Sequence, residues 1–220
     1  MSIFRYALFD YRTPTGMLRG YFGAIRDFGE RAVVQPGEVL PVCVSVGAVP
    51  RLVPALWSKP GTTTPAGRRR EGIGHALTPA AFARSRTYGP LYHRRQRCLV
   101  PASGYYLPRG GVGERYVRSR DRALLSLAGL WEERVVDGNT RLAYVVVACM
   151  EDGGLRRAEP LVLEPEQCDA WLDQEDPRHL LLQRPTHLVE CATAAAPGVP
   201  LVDLAVPADA PIASGRSASA

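Results

Sequence analysis

From Arg97 to Pro108 the chain reads Arg97-Cys-Leu-Val-Pro-Ala-Ser-Gly-Tyr-Tyr-Leu-Pro108, and this segment decides the predicted fold. Cys98 to Val100 form a short apolar run that Pro101 closes, and an aromatic run begins after Ser103-Gly104. This pattern predicts a buried strand, a tight turn and a second strand. Functional side chains on a turn between two buried strands would be held rigidly.

The remaining patterns predict further strands and few helices. Strands are predicted at Ile3–Phe9, Val39–Val46, Tyr116–Arg118, Ala123–Trp131 and Leu142–Cys149. The segment Met17–Phe28 is compatible with either a short helix or a hairpin. Pro165–Gln174 has the pattern of an amphipathic helix whose inward residues are Cys168, Trp171 and Leu172.

Length and composition are those of one globular domain. The chain has 220 residues, 46% of them hydrophobic, which is enough for one sizeable core. We expect this domain to cover residues 1–207, and the small and polar residues of 208–220 predict a disordered tail. No apolar run has the length needed to cross a bilayer, and we expect no signal peptide and no membrane association. The expected location is the cytoplasm.

Cysteine spacing and charge restrict the partners. The five cysteines form no CxxC pair and have no histidine at metal-ligand spacing, so we expect buried, reduced thiols, no metal and no cofactor. The formal net charge of +5 comes almost entirely from arginine, since Lys59 is the only lysine. A basic balance permits nucleic-acid binding without requiring it.

The segment Cys98-Leu-Val-Pro-Ala-Ser-Gly-Tyr-Tyr resembles the signature of the SOS-response-associated peptidase (SRAP) family, Cys-Leu-Val-Pro-Ala-Asp-Gly-Phe/Tyr-Tyr-Glu-Trp. Arg51–Pro60, with Trp57, and Ala128–Glu132 resemble two further family segments. The family senses abasic sites in single-stranded DNA. The resemblance implies one α+β domain in which antiparallel strands form a barrel-like core with short flanking helices.

The family's reactive positions are altered in this chain. Ser2, or Ile3 in the alternative alignment, replaces the reactive cysteine, and Leu107 replaces the signature glutamate. Arg156 stands at the catalytic histidine position, and Glu159 stands where the family has methionine. The remaining changes replace two asparagines by Val33 and Phe82, whereas Arg84 is retained.

These replacements predict the loss of the family's chemistry. Capturing an abasic-site aldehyde as a thiazolidine requires the thiol, and acid–base catalysis of the family type requires a carboxylate or imidazole. We therefore expect neither abasic-site crosslinking nor autoproteolysis.

Three interpretations of the altered cleft remain. In the favoured one it binds a largely apolar small metabolite and converts it in a cyclase- or lyase-type biosynthetic reaction. The catalytic candidates are then Arg156, which would stabilise an oxyanion, Tyr106, which would donate a hydrogen bond and a proton, and Glu159. The substrate-binding candidates are Ser2, Val33, Trp57, Phe82, Arg84 and Leu107.

The second interpretation is a single-stranded DNA-binding protein of the DNA damage response that no longer crosslinks. It would use Arg84, the basic run from Arg94 to Arg97, and Trp57 for phosphate contacts and base stacking. In the third, Val33, Phe82 and Leu107 fill the cleft and extend the core.

Overall fold

The computed structural model describes residues 5–47, 49–58, 85, 86, 88–108, 114–136, 139–149, 159–174, 176, 177, 179, 180, 185 and 187–192. Within these ranges no helix is long and apolar enough to span a membrane. The predicted tail at 208–220 and the predicted domain boundary at residue 207 lie outside the described residues.

Short strands dominate the fold. The thirteen strands of the described ranges are β1 (Arg5–Leu8), β2 (Arg31–Val34), β3 (Val39–Val46), β4 (Val49–Trp57), β5 (Arg97–Ala102), β6 (Gly104–Pro108), β7 (Glu114–Ser119), β8 (Leu125–Val136), β9 (Asn139–Val146), β10 (Ala148–Cys149), β11 (Glu159–Pro160), β12 (Val162–Leu163) and β13 (Leu188–Ala192). The helices described are α1 (Met17–Phe22), α2 (Gly89–His93), α3 (Cys168–Asp173), and the 3₁₀ turns Ile25–Phe28 and Pro165–Gln167.

Five strands close into a barrel. The ring runs β8-β5-β3-β4-β9 and returns to β8, and β12 pairs with the outer edge of β8. Four pairs in the ring are antiparallel, whereas β4 and β9 are parallel, from Ala55 opposite Leu142 to Trp57 opposite Tyr144. An odd number of strands cannot alternate direction all the way around a ring, so one parallel pair is unavoidable. The predicted α+β barrel is confirmed, with this one departure from the antiparallel pattern.

A second sheet, here called the open sheet, has the order β13-β7-β6-β1-β2 and is antiparallel throughout. The short strands β10 and β11 pair with each other. In this arrangement β6 lies at the centre of the open sheet, between β1 and β7.

The central segment connects the barrel to the open sheet. Its predicted strand, turn and strand are confirmed, but β5 belongs to the barrel and β6 to the open sheet, so the two are not hairpin partners. Ser103, buried between them, donates its backbone N–H to the Ala7 carbonyl at 2.8 Å, and its Oγ accepts from the Phe9 N–H at 3.1 Å. The chain therefore changes sheets at a hydrogen-bonded position.

The segment predicted as an amphipathic helix, Pro165–Gln174, packs on this core as its sequence predicts. Cys168, Trp171 and Leu172 of α3 are buried, and the Trp171 indole N–H donates to the Cys98 carbonyl at 3.1 Å. The segment Met17–Phe28, for which helix and hairpin were both open, forms α1 and the first 3₁₀ turn. The α3 contact ties this helix to the first residues of the signature segment.

Candidate functional site

Strand β6 presents alternate side chains to opposite faces of the open sheet. Tyr105 and Leu107 are each 1% exposed and belong to the hydrophobic core, whereas Tyr106 is half-buried on the other face. We call the core-facing side the inner face. Leu107, at the position of the family's glutamate, lies on it directly opposite Arg115 of β7.

A charged group, here called the Arg115 cluster, consists of Arg115, Glu159 and Glu190. Arg115 donates through Nη2 to Glu159 Oε1 at 2.5 Å and through Nη1 to Glu190 Oε1. The three side chains come from β7, β11 and β13 and are 27%, 45% and 60% exposed. The cluster is therefore a solvent-accessible polar edge beside the buried Leu107.

Register places the cluster on the inner face. Tyr105 is paired with Val117, and Val117 with Glu190, so the three side chains form one row across β6, β7 and β13. Arg115 lies two residues from Val117, and its side chain therefore emerges on the same face. Through its contact with Arg115, which lies opposite Leu107, one predicted catalytic residue, Glu159, reaches the inner face.

Tyr105 supplies a hydroxyl to the same face. Burial, reinforced by the nearby Glu159 carboxylate, raises the pKa of Tyr105, and the smaller effect of Arg115 lowers it. The phenol stays protonated at neutral pH and can act only as a weak proton donor or a hydrogen-bonding group. Sequence reasoning missed Tyr105, although its two-residue separation from Leu107 already places both on one face of a strand.

Tyr106 lies on the outer face, the side of the open sheet opposite the inner face, and contacts a different set of side chains there. The Arg5 guanidinium lies 5.3 Å from the Tyr106 ring centroid, and the Tyr116 ring lies 4.9 Å away. Arg5 also forms an ion pair with Glu114. The pKa of Tyr106 is raised by burial, against a smaller lowering effect of Arg5. The structure therefore separates two predicted catalytic residues, since Tyr106 and Glu159 lie on opposite faces of the open sheet.

Two predicted substrate-binding residues lie away from the cluster. Trp57 is fully buried, with its ring centroid 5.0 Å from that of Tyr6 and 6.3 Å from that of Tyr144. A ring buried in this way has no free face on which a base or ligand can stack, so Trp57 is a core residue here. Val33 is half-buried on β2, at the edge of the open sheet, and β1 separates β2 from β6.

The other predicted site residues cannot be placed. Ser2, Phe82, Arg84 and Arg156 lie outside the described residues. Their roles stay predictions from the sequence.

The arginines of the basic run before the signature segment differ in their exposure to solvent. Arg94 and Arg95 are exposed, but Arg97 is 1% exposed, and its guanidinium lies over the rings of Tyr92 and Trp171 at 5.1 and 6.0 Å. Arg97 donates to the Gln174 carbonyl at 2.6 Å, and burial lowers its pKa. The expectation that Arg97 contacts phosphate is therefore wrong, because its charge is enclosed by aromatic rings.

Three of the described cysteines have the character of core residues, whereas Cys191 is half-buried. Cys43, Cys98 and Cys168 are free and buried, and burial raises the pKa of Cys43 to about 12 and that of Cys168 to about 11. Thiols of this kind are poor nucleophiles because the thiolate is disfavoured. Among the described residues no group of histidine, cysteine and carboxylate side chains is arranged to hold a metal.

The closed barrel joined to an open sheet through the signature segment defines a SRAP-type domain. The family model for SOS response associated peptidase (SRAP) matches residues 34–195, and the chain belongs to this family. No curated protein matches the sequence.

Three solved structures share the fold. A Bordetella bronchiseptica protein is 20% identical, with a TM-score of 0.66, and the match covers 86% of this chain and 99% of that one. A Bacteroides thetaiotaomicron protein is 13% identical, with a TM-score of 0.64 and coverage of 85% and 90%. A phage-related protein from Bordetella bronchiseptica is 20% identical, with a TM-score of 0.57 and coverage of 84% and 92%. These identities support the fold alone.

Proposed function

We propose that this protein binds a small, largely apolar metabolite in the cleft beside β6 and converts it without forming a crosslink to DNA. The reaction class is a cyclase- or lyase-type biosynthetic step, in which the site orients and desolvates the substrate. The protein would act in the cytoplasm, with which the free thiols of Cys43, Cys98, Cys168 and Cys191 are compatible.

The observation that carries this proposal is the local charge around Leu107. The family's glutamate position is an apolar, buried leucine, and the neighbouring Arg115 already binds two carboxylates. The Arg115 cluster, with one arginine and two glutamates, therefore carries a formal net charge of −1. A DNA groove needs free cations at this place, whereas a site for an uncharged ligand does not.

The proposal assigns the proton chemistry to the inner face. Glu159 would accept a proton, since Arg115, which lies opposite Leu107, holds one of its oxygens. Tyr105 takes over the hydrogen-bonding role that was predicted for Tyr106. Arg156 keeps the role predicted from the sequence, stabilisation of a developing oxyanion.

A second candidate function, non-crosslinking binding of single-stranded DNA, has support from the surface charge. The chain carries a formal net charge of +5, and Arg94 and Arg95 are exposed. Arg97 and Trp57 do not contribute to it because both are fully enclosed.

Binding measurements separate the two candidates. A neutral apolar dye, Nile red, and a fluorescein-labelled oligothymidylate are titrated against the protein over a salt series. The metabolite proposal expects dye binding that weakens in Leu107→Ser and is unchanged in Val135→Ser, a control at a position that is 74% exposed. Oligonucleotide binding that persists at physiological salt with a steep salt slope, together with dye binding indifferent to Leu107→Ser, would overturn it.

The loss of crosslinking is tested separately. Single-stranded DNA with one abasic site is incubated with the protein and resolved on a denaturing gel. We expect no shifted band, since neither Ser2 nor Ile3 offers the thiol that a thiazolidine needs. A band that survives denaturation would show that another nucleophile has replaced the cysteine.

A further inference from the structure

We propose that Glu159 and Glu190 are specificity residues that keep phosphate groups off Arg115, so that the cleft selects neutral or cationic ligands. This inference rests on the proposed function, because it concerns the same edge of the same cleft. It names the ligand class that the site rejects and the residues that reject it.

Carboxylates already occupy donors of the Arg115 guanidinium. An arginine binds phosphate best through parallel donors of its planar fork. In this protein Nη2 of Arg115 donates to Glu159 and Nη1 donates to Glu190, so both terminal nitrogens are engaged. A phosphate approaching the guanidinium would either displace one of these carboxylates or lie directly beside one of them.

The two carboxylates that bind Arg115 belong to separate strands. Glu159 comes from β11 and Glu190 from β13, and they are 44 and 75 residues from Arg115 in the sequence. The guanidinium is therefore held from two separate elements, and displacing one carboxylate leaves the other in place. A bound phosphate would then lie within a few ångströms of like charge, which opposes binding most strongly at a partly buried edge.

Arg5, on the outer face of the open sheet, differs from Arg115 in its carboxylate partners. There Arg5 has one carboxylate partner, Glu114, and its guanidinium lies over the Tyr106 ring. Arg5 and Arg115 thus lie on opposite faces of one sheet, one with a single carboxylate and one with two. Neutralising Glu114 would also free an arginine, so the matched control is Glu133, an exposed glutamate on β8 of the barrel, where the same charge is removed away from both arginines.

The experiment measures phosphate-diester binding after the carboxylates are neutralised. The probe is fluorescein-labelled oligothymidylate, and inorganic phosphate serves as a competitor. The variants are Glu159→Gln, Glu190→Gln, the double variant, Arg115→Ala alone and added to the double variant, and Glu133→Gln as the control. Glutamine keeps the shape and one acceptor oxygen, and thermal unfolding reports whether each variant remains folded.

The expected result is a gain of binding confined to the inner-face variants. The double variant should bind the oligonucleotide at least about tenfold more tightly than the parent, which corresponds to about 1.4 kcal/mol. Its salt slope should steepen by about one phosphate contact. Adding Arg115→Ala to the double variant should abolish the gain, and Glu133→Gln should bind like the parent.

Several outcomes would overturn the inference, and they differ in what else they affect. A folded double variant with no gain, or an equal gain in Glu133→Gln, overturns the specificity role while leaving the metabolite proposal intact. Tight parental binding that Arg115→Ala removes overturns both. If the double variant unfolds, the single variant Glu190→Gln decides by the same criteria, since that side chain is 60% exposed.

Discussion

Tyr6 and Tyr144 share a hydrogen bond at the centre of the molecule. Their hydroxyl oxygens are 2.5 Å apart, both rings are fully buried, and Trp57 packs against both. Burial raises the pKa of each phenol, so both stay protonated and one hydroxyl donates to the other. Tyr6 is on β1 of the open sheet and Tyr144 on β9 of the barrel, so this bond joins the two sheets.

This bond can be measured by a double-mutant cycle. Tyr6→Phe and Tyr144→Phe should each lower the free energy of unfolding by about 1–2 kcal/mol. Each substitution removes the hydrogen bond and leaves the hydroxyl of the other tyrosine buried without that bond. The double variant should lose less than the sum. Urea unfolding gives these values, with Tyr11→Phe, a half-buried tyrosine, as a control within about 0.5 kcal/mol of the parent. Strictly additive losses would show that the two hydroxyls do not interact.

At the scale of the elements, two glycines allow strands to approach closely. A Cβ on Gly104, at the start of β6, would lie 2.5 Å from the Tyr116 ring and from the Val117 carbonyl oxygen. A Cβ on Gly129, in β8, would lie 2.6 Å from Cys98 Sγ, and its other neighbours are at 3.1 Å or more. The contact at Gly104 involves the backbone of β7. The contact at Gly129 involves mainly Cys98 Sγ, a side-chain atom that a substitution can remove.

The two alanine substitutions should therefore differ. Gly104→Ala should cost more than about 2 kcal/mol, because the backbone of β7 cannot move without disturbing the open sheet. Gly129→Ala should also destabilise, but adding Cys98→Ala should recover part of that loss by removing Sγ. Chemical unfolding of the three variants and of Cys98→Ala tests this. Fully additive effects of Gly129→Ala and Cys98→Ala would contradict the contact.

At the scale of the whole molecule, the buried thiols and phenols make the free energy of unfolding depend on pH in the alkaline range. Burial raises the pKa of Cys43 from 9.0 to about 12, that of Cys168 from 9.0 to about 11 and that of Tyr88 from 10.0 to about 12. A raised pKa means that the folded state holds its proton more tightly than the unfolded state. The stabilisation is complete below the unfolded pKa and is lost as pH rises toward the folded value.

The free energy of unfolding should therefore decrease as pH rises above about 9. Urea unfolding at intervals from pH 8 to about 11 measures the slope. Cys168→Ala should reduce that slope, whatever its effect on stability at neutral pH, because one titrating thiol is gone. An unchanged slope in this variant would show that Cys168 does not titrate differently in the two states.

Local patterns in the sequence were sufficient to predict several of the elements, and the loss of the family's chemistry stays a prediction made from aligned segments. The boundaries of β3, predicted at Val39–Val46, are confirmed, as are the inward residues of α3, because burial of a short element follows its own apolar period. The replacement of the family's cysteine, glutamate and histidine is likewise readable from aligned segments alone. No contact between distant residues is needed for either inference.

The tertiary structure decided which side chains meet. Arg115 was not a candidate in the sequence, since nothing near it in the chain indicates that it lies opposite Leu107 and binds Glu159 and Glu190. The separation of Tyr106 from Glu159 follows from strand register, in which a shift of one residue exchanges the two faces. The parallel pairing of β4 with β9 follows from closing an odd number of strands. Register and closure depend on long-range pairing, which local periodicity does not encode.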